Sequence, residues 1–187
     1  MTQEQVLNIL KTGASVFLTG EPGSGKTYII NKYVDYLRSR GFGVAVTAST
    51  GIAATHIGGM TIHSWSGIGV RTAFGKDDLE KLTGNKYITR RIRRAKVLII
   101  DEISMLDGRT LDLVEIVCGA ILESRAPFGG LQVVFVGDFF QLPPVVREAQ
   151  TCQFAFQSRA WASTNPTACY LIEQHRQDDA AYLSILS

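Results

Sequence analysis

At 187 residues, 45% of them hydrophobic, the chain is long enough for one domain with a buried core. Its 19 Lys and Arg against 17 Asp and Glu leave a formal charge of +2, too little to announce a nucleic-acid surface unless basic residues cluster locally. Cys118, Cys152 and Cys169 lack metal spacing and imply no disulfide framework, and neither a leader peptide nor an apolar run near the roughly 20 residues of a membrane span is visible. A soluble intracellular protein without a membrane partner is expected, cytoplasmic in a bacterium or virus and nuclear or mitochondrial in a eukaryote.

Residues Val6–Lys11 read as the end of a short helix. The apolar run Ala14–Leu18 predicts a buried strand, and Thr27–Arg40 predicts a helix. Between them Gly20-Glu21-Pro22-Gly23-Ser24-Gly25-Lys26-Thr27 completes the pattern G-x-x-x-x-G-K-[ST]. Strand, glycine loop and helix N-terminus together make a polyphosphate cradle. Glycines let backbone N–H groups approach the phosphates, and the helix dipole favours negative charge there. In such a cradle Lys26 reaches the β- and γ-phosphates and Thr27 holds Mg²⁺.

Further short Val- and Ile-rich runs follow at Gly43–Thr47, Val97–Ile100, Gln132–Val136 and Ala168–Ile172. Each is apolar on both faces, as central parallel strands are when helices cover both sides. Helical spacing marks Leu111–Ser124, and Ser66–Thr83 reads as an excursion away from the sheet. Lys86–Lys96, the one dense basic run, reads as an exposed helix face, although its charges could also meet phosphates. The alternation predicts an α/β fold of three layers, αβα, around a central parallel sheet.

Two strand ends carry further chemistry. Val97–Ile100 run into Asp101 and Glu102, an acidic pair where ligands bind in open α/β sheets. Asp101 suits an Mg²⁺ anchor, and Glu102, pointing the other way, suits activation of an attacking water. Past Gln132–Val136, Gln141 could contact the γ-phosphate or be an ordinary loop amide, and Asp138 could support Mg²⁺ or cap its turn.

Taken with TASTGIAA at Thr47–Ala54, GMTIHSW at Gly59–Trp65, VLIIDEISML at Val97–Leu106, PFGGLQVVFVGDFFQLPPV at Pro127–Val145 and EQHRQ at Glu173–Gln177, the chain resembles the first RecA-like domain of PIF-family DNA helicases of superfamily 1B. RecD-type helicases share parts of this set; PFGG and TIHSW favour the PIF group. The resemblance implies a P-loop NTPase fold and ATP hydrolysis with Mg²⁺. It also implies 5′→3′ movement on single-stranded DNA, with unwinding of duplexes, forks and G-quadruplexes. Thr2-Gln3-Glu4-Gln5 looks like the family's Q-motif, with Gln5 reading the adenine edge. Lys26 and Thr27 match the phosphate and Mg²⁺ ligands, Asp101 the metal acid, Glu102 the general base and Gln141 the γ-phosphate sensor. Arg176 matches an arginine that approaches the γ-phosphate.

The resemblance also marks Thr47–Gly51 and Thr61–Ser64 as DNA-touching segments. Thr47, Ser49 and Thr50 offer small hydroxyls after a strand end, and Gly51 allows close approach, which suits contact with phosphates rather than bases. His63 and Trp65 bracket Ser64; His63 could face a phosphate or sit in a satisfied loop, and Trp65 reads as core before stacking platform. Phe139 and Phe140 divide between core and surface. Such a helicase needs a second RecA-like domain, which supplies an arginine finger and half of the DNA groove. On that expectation the chain alone binds nucleotide weakly, turns it over poorly and unwinds nothing. A nucleotide-dependent DNA-binding module without catalysis is the alternative.

Overall fold

The computed structural model describes residues 1–71, 73–75, 77–144 and 152–172. Helix α1 (Gln3–Lys11) leads to β1 (Val16–Gly20), α2 (Lys26–Ser39) and β2 (Val44–Ala48). Short pieces follow as α3 (Gly51–His56), β3 (Met60–Thr61) and α4 (Ile62–Ser66). Then come α5 (Asp78–Gly84), α6 (Lys86–Arg94), β4 (Val97–Asp101), α7 (Gly108–Leu122), β5 (Gln132–Val136), α8 (Arg159–Thr164) and β6 (Thr167–Leu171). The six strands form one parallel sheet in the order β3-β2-β4-β5-β1-β6.

Period-two alternation splits the sheet's side chains between two cores. Val97 and Ile99 of β4, Val134 and Val136 of β5, and Val16 and Leu18 of β1 pack with α1 and α2. Leu98, Ile100, Val133 and Phe135 pack on the other side with Trp65, Ile92 and the apolar stripe of α7. The expected three-layer αβα architecture with a central parallel sheet is what the structure has. The Tyr33 hydroxyl lies 2.9 Å from the Leu10 carbonyl and 2.7 Å from Gln132 Oε1, while Gln132 Nε2 donates to Leu10 and Ala14 carbonyls. That buried polar knot ties α1 and α2 to the start of β5.

Two readings of the sequence are revised. The first strand extends two residues further than its apolar run, because Gly20 still pairs with Leu171 of β6. The segment Ser66–Thr83 leaves the sheet but does not leave the core: Ile68 and Leu82 are buried beside Trp65 and Ile92.

On the α7 side, Phe135 is fully buried and stacks on Trp161 with ring centroids 4.6 Å apart. Phe140 is fully exposed. Phe135→Ala should cost about 3–5 kcal/mol of stability, and Phe140→Ala less than about 0.5 kcal/mol. Urea unfolding of the two variants checks the contrast; equal losses would contradict this placement of the core.

Candidate active site

Because the strands are parallel, the carboxyl ends of β1, β4 and β5 lie on one edge of the sheet. β1 ends at Gly20, whose φ is +150°. A methyl group there would sit 2.8 Å from the Leu171 carbonyl and 2.9 Å from Ser24 Oγ, so the loop begins where no side chain fits. Gly23 and Gly25 adopt φ of +86° and +90°, turning the chain into α2. Gly25 caps that helix without any side-chain hydrogen bond, so the first N–H groups of α2 have no side-chain acceptor at the cap. Ser24 is buried, and its hydroxyl has no partner among the described residues. Lys26 Nζ folds back onto the loop, donating to the Gly20 carbonyl at 2.6 Å and the Glu21 carbonyl at 3.1 Å. A cradle of this shape, with a cation and an orphaned hydroxyl, fits a polyphosphate.

Asp101 closes β4 facing the cradle. Burial, and secondarily the neighbouring Glu102, pushes its carboxyl above the usual carboxylate range. The Glu102 N–H, which donates to Asp101 Oδ1 at 2.9 Å, and the Lys26 ammonium oppose that rise. Glu102 has φ +52° and ψ +45°, a left-handed conformation costing a non-glycine residue roughly 1–2 kcal/mol. The strain reverses the chain directly after Asp101 and starts the short turn Ile103–Met105. Among the described residues no group of three His, Cys, Asp or Glu could hold a metal. A divalent ion here would draw on the Thr27 hydroxyl, Asp101, phosphate oxygens and water, which is how Mg²⁺ is ordinarily held.

Beyond β5, Asp138 caps its own turn. Its Oδ1 accepts the Phe140 N–H at 3.0 Å and its Oδ2 accepts Gln141 Nε2 at 3.2 Å. Asp138, Phe139 and Phe140 share a cavity of about 270 Å³ with Gly20 and Glu21, so this turn borders the phosphate loop. Gln141 is exposed and held on Asp138. Gln5 sits in the first turn of α1, exchanging hydrogen bonds with Thr2 in a capping box. Beside it a groove of about 550 Å³ is lined by Thr2, Gln3, Leu7, Ile29 and Lys32. Arg176 lies outside the described residues.

The segments expected to touch DNA occupy the same edge, with their side chains doing different things. Thr47 is fully buried, and its hydroxyl donates to the Ile99 carbonyl at 2.6 Å, binding β2 to β4. The Ser49 N–H donates to the Asp101 carbonyl at 3.1 Å, and its buried hydroxyl has no partner among the described residues. Thr50 and Thr61 cap α3 and α4. A Cβ built on Gly51 meets nothing within 4 Å, so this backbone is open to an approaching ligand. Ser64 is exposed and Trp65 is core. Burial holds the His63 imidazole below its ordinary range, so it stands neutral at pH 7.

One residue with a part in this edge could be read in the sequence only as a member of the basic run Lys86–Lys96. Arg91 of α6 donates through Nη2 to the Ser64 carbonyl at 2.8 Å. Arg93, from the opposite side of the same helix, pairs with Glu123 at 2.8 Å and donates to the Ile121 carbonyl at 3.2 Å. The basic run is therefore partly anchored rather than a wholly solvated face. Only the spacing of Ile88 and Ile92 hints at which arginines turn inward.

Comparison with known proteins accounts for this arrangement. The family model described as PIF1-like helicase matches residues 2–183. The chain belongs to the PIF1-like helicase family. It is 54% identical over 179 residues to the ATP-dependent DNA helicase Pif1 of Psychrobacter sp., covering 95% of this chain and 27% of that protein. The crystal structure of the Candida albicans Pif1 helicase superimposes with a TM-score of 0.86 at 42% identity, over 98% of this chain and 42% of that one. A Bacteroides Pif1 helicase in complex with ADP-AlF3 and ssDNA gives 0.87 at 32% identity, over 98% of this chain and 44% of that one. The PIF1-like chain thus has the RecA-like fold of Pif1 helicases, and it spans about a quarter of the length of relatives such as the Psychrobacter helicase. No helix among its described residues is long and apolar enough to cross a membrane.

The lowered His63 pKa has a definite sign. Its folded value lies below the unfolded one, so its contribution to stability is present above about pH 6.5 and is lost on acidification. Replacing His63 with Gln should flatten the fall in urea midpoint between pH 7 and pH 5; an unchanged slope would place the imidazole in solvent.

Proposed function

We propose that this chain is the ATP-binding RecA-like part of a DNA helicase and binds Mg²⁺–ATP and single-stranded DNA on one edge of its sheet. With a second RecA-like domain it would couple ATP hydrolysis to 5′→3′ movement and to unwinding of duplex, forked or G-quadruplex DNA. The observation that carries this reading is that Lys26, after β1, is near enough to Asp101, at the end of β4, to favour its charge, while the Ser49 N–H of the nucleic-acid segment donates to the Asp101 carbonyl. Two solved structures lend support: Bacteroides Pif1 is described in complex with ADP-AlF4 and bound to ssDNA.

On this reading Lys26 exchanges its two loop carbonyls for β- and γ-phosphate oxygens. Backbone N–H groups from Gly23 to Thr27 take the remaining phosphate charge. Thr27 and Asp101 would hold Mg²⁺, which supplies charge neutralisation and fixes the phosphate geometry. Glu102 would accept the proton of the attacking water, since its neighbour Asp101 already accepts the Glu102 N–H and would be the acid that holds Mg²⁺. Gln141, released from Asp138, contacts the γ-phosphate, and Arg176 offsets its charge. Gln5 reads the adenine edge through an amide whose oxygen now caps α1. Gly51, Thr50, Ser49, Thr61, His63 and Ser64 face the DNA backbone; the Thr47 side chain does not, being spent inside the sheet.

A second RecA-like domain would add the arginine finger, a term of roughly 10³–10⁵ in rate in related phosphoryl transfer. The chain alone should therefore bind a fluorescent ATP analogue yet hydrolyse ATP slowly, and Lys26→Ala should weaken that binding more than tenfold. In a polypeptide extended through the next domain, Glu102→Gln should keep nucleotide binding and lower DNA-stimulated turnover by about 10²–10⁴. Full ATPase activity in that variant would remove Glu102 from the role of base, and brisk turnover by the chain alone would contradict a site shared between two domains.

A further inference from the structure

The outer edge of the sheet carries a basic groove that the nucleotide site does not use. β4 covers the inner side of β2, but β3 pairs only with Thr47 and Ala48, so Val44–Val46 have no strand on their outer side. A groove of about 300 Å³ runs along this gap, with Val46, Gly59 and Met60 as its floor and Arg38, Arg91 and Arg94 around it. Arg38 comes from the last turn of α2 in one helical layer, and Arg91 and Arg94 come from the last turn of α6 in the other. The ion pairs among the described residues are Arg71–Asp78 and Arg93–Glu123, and neither involves a groove arginine.

Arg91 is the most informative of the three. One of its terminal nitrogens donates to Ser64, the other rests 3.7 Å from Met60 Sδ, and its buried Nε–H has no acceptor among the described residues. A buried guanidinium donor with no acceptor is an anomaly that an anion would resolve. The same side chain joins the groove to the Thr61–Ser64 segment, and the groove floor at Gly59–Met60 continues directly into that segment. Planar guanidinium forks suit phosphate oxygens, and arginines from two layers suit a ligand that lies along the edge.

We propose that this groove binds the phosphodiester backbone of nucleic acid continuing past the contacts at Gly51 and Ser64. The assignment rests on the functional reading above. The backbone could belong to a single-stranded tail or to a duplex arm; both present the same phosphate chemistry.

Arg38→Gln/Arg94→Gln tests this, since both side chains are exposed and lie outside the nucleotide and strand-end contacts. Affinity of the 187-residue chain would be measured by fluorescence anisotropy against a labelled single-stranded oligonucleotide and a tailed hairpin, across a salt series. Losing two phosphate contacts should make the slope of log K against log salt shallower by about 1.4 on single strands or about 1.8 on duplex. A change on both probes assigns the tail, and a change on the hairpin alone assigns the duplex arm. Binding of an ATP analogue should be unaltered in the variant.

Unchanged slopes alongside intact single-strand binding would overturn the groove and leave the helicase reading standing. Single-strand affinity at fixed salt that is unmoved by Thr50→Ala/Ser64→Ala while the slope responds to the arginines would sink the strand-end reading instead. Absence of DNA binding by the wild-type chain overturns both. Retention of a poly-glutamate peptide in preference to either DNA would overturn the assignment in favour of an acidic protein partner.

Discussion

The six strands point the same way, and the local chemistry depends on that constraint. Parallel pairing registers Gly20 against Leu171 and Ala48 against Asp101, so the glycine loop, the acidic pair and a hydroxyl-rich segment emerge on one edge. No long-range interaction has to find these groups. The hydrophobic cores above and below β4 and β5 fix the strands, and the strand ends deliver the polar residues. A one-residue slip of β4 would exchange its two faces and send Asp101 to the wrong layer.

Within that frame the site is polar, partly buried and held tense. The Asp101 carboxyl resists ionisation because it is desolvated beside Glu102, while Lys26 and a backbone N–H favour its charge. A divalent cation would settle the balance decisively, which gives the acid a physical reason to sit there. The hydrogen bond from Ser49 to the Asp101 carbonyl ties the end of β4 to the segment proposed to meet DNA, so a movement of one would reach the other directly. Lys26, meanwhile, is parked on two carbonyls of its own loop, so on the proposed function an entering nucleotide would exchange contacts rather than create them outright.

The large features of this architecture could be read from residue order alone, for a definite reason. Runs such as Val97–Ile100 and Gln132–Val136 are apolar on both faces, and burial between two helical layers is the stable use of such a run. Phosphate loop and acidic pair were legible because their chemistry needs contiguous residues. What was not legible depends on tertiary contact. Two-residue β3 and six-residue α3 are too short for periodicity to register. Thr47 resembles a ligand-facing hydroxyl until β4 is seen to supply the carbonyl it binds. Arg91 looks like one of several surface cations until the helix is docked and Ser64 lies beneath it. Asp138, open between two roles in the sequence, is a turn cap once Phe140 and Gln141 fold back onto it.

The central claim is that Lys26, Asp101 and Gln141 gather around a single metal-bound triphosphate. Paramagnetic broadening of backbone amide signals by Mn²⁺ with a non-hydrolysable ATP analogue measures that convergence directly. The account predicts selective loss of signals from Gly23–Thr27, Asp101–Ile103 and Asp138–Gln141 together, and only when nucleotide and metal are both present. Broadening confined to one of these three segments, or unaffected by omitting the nucleotide, would contradict it.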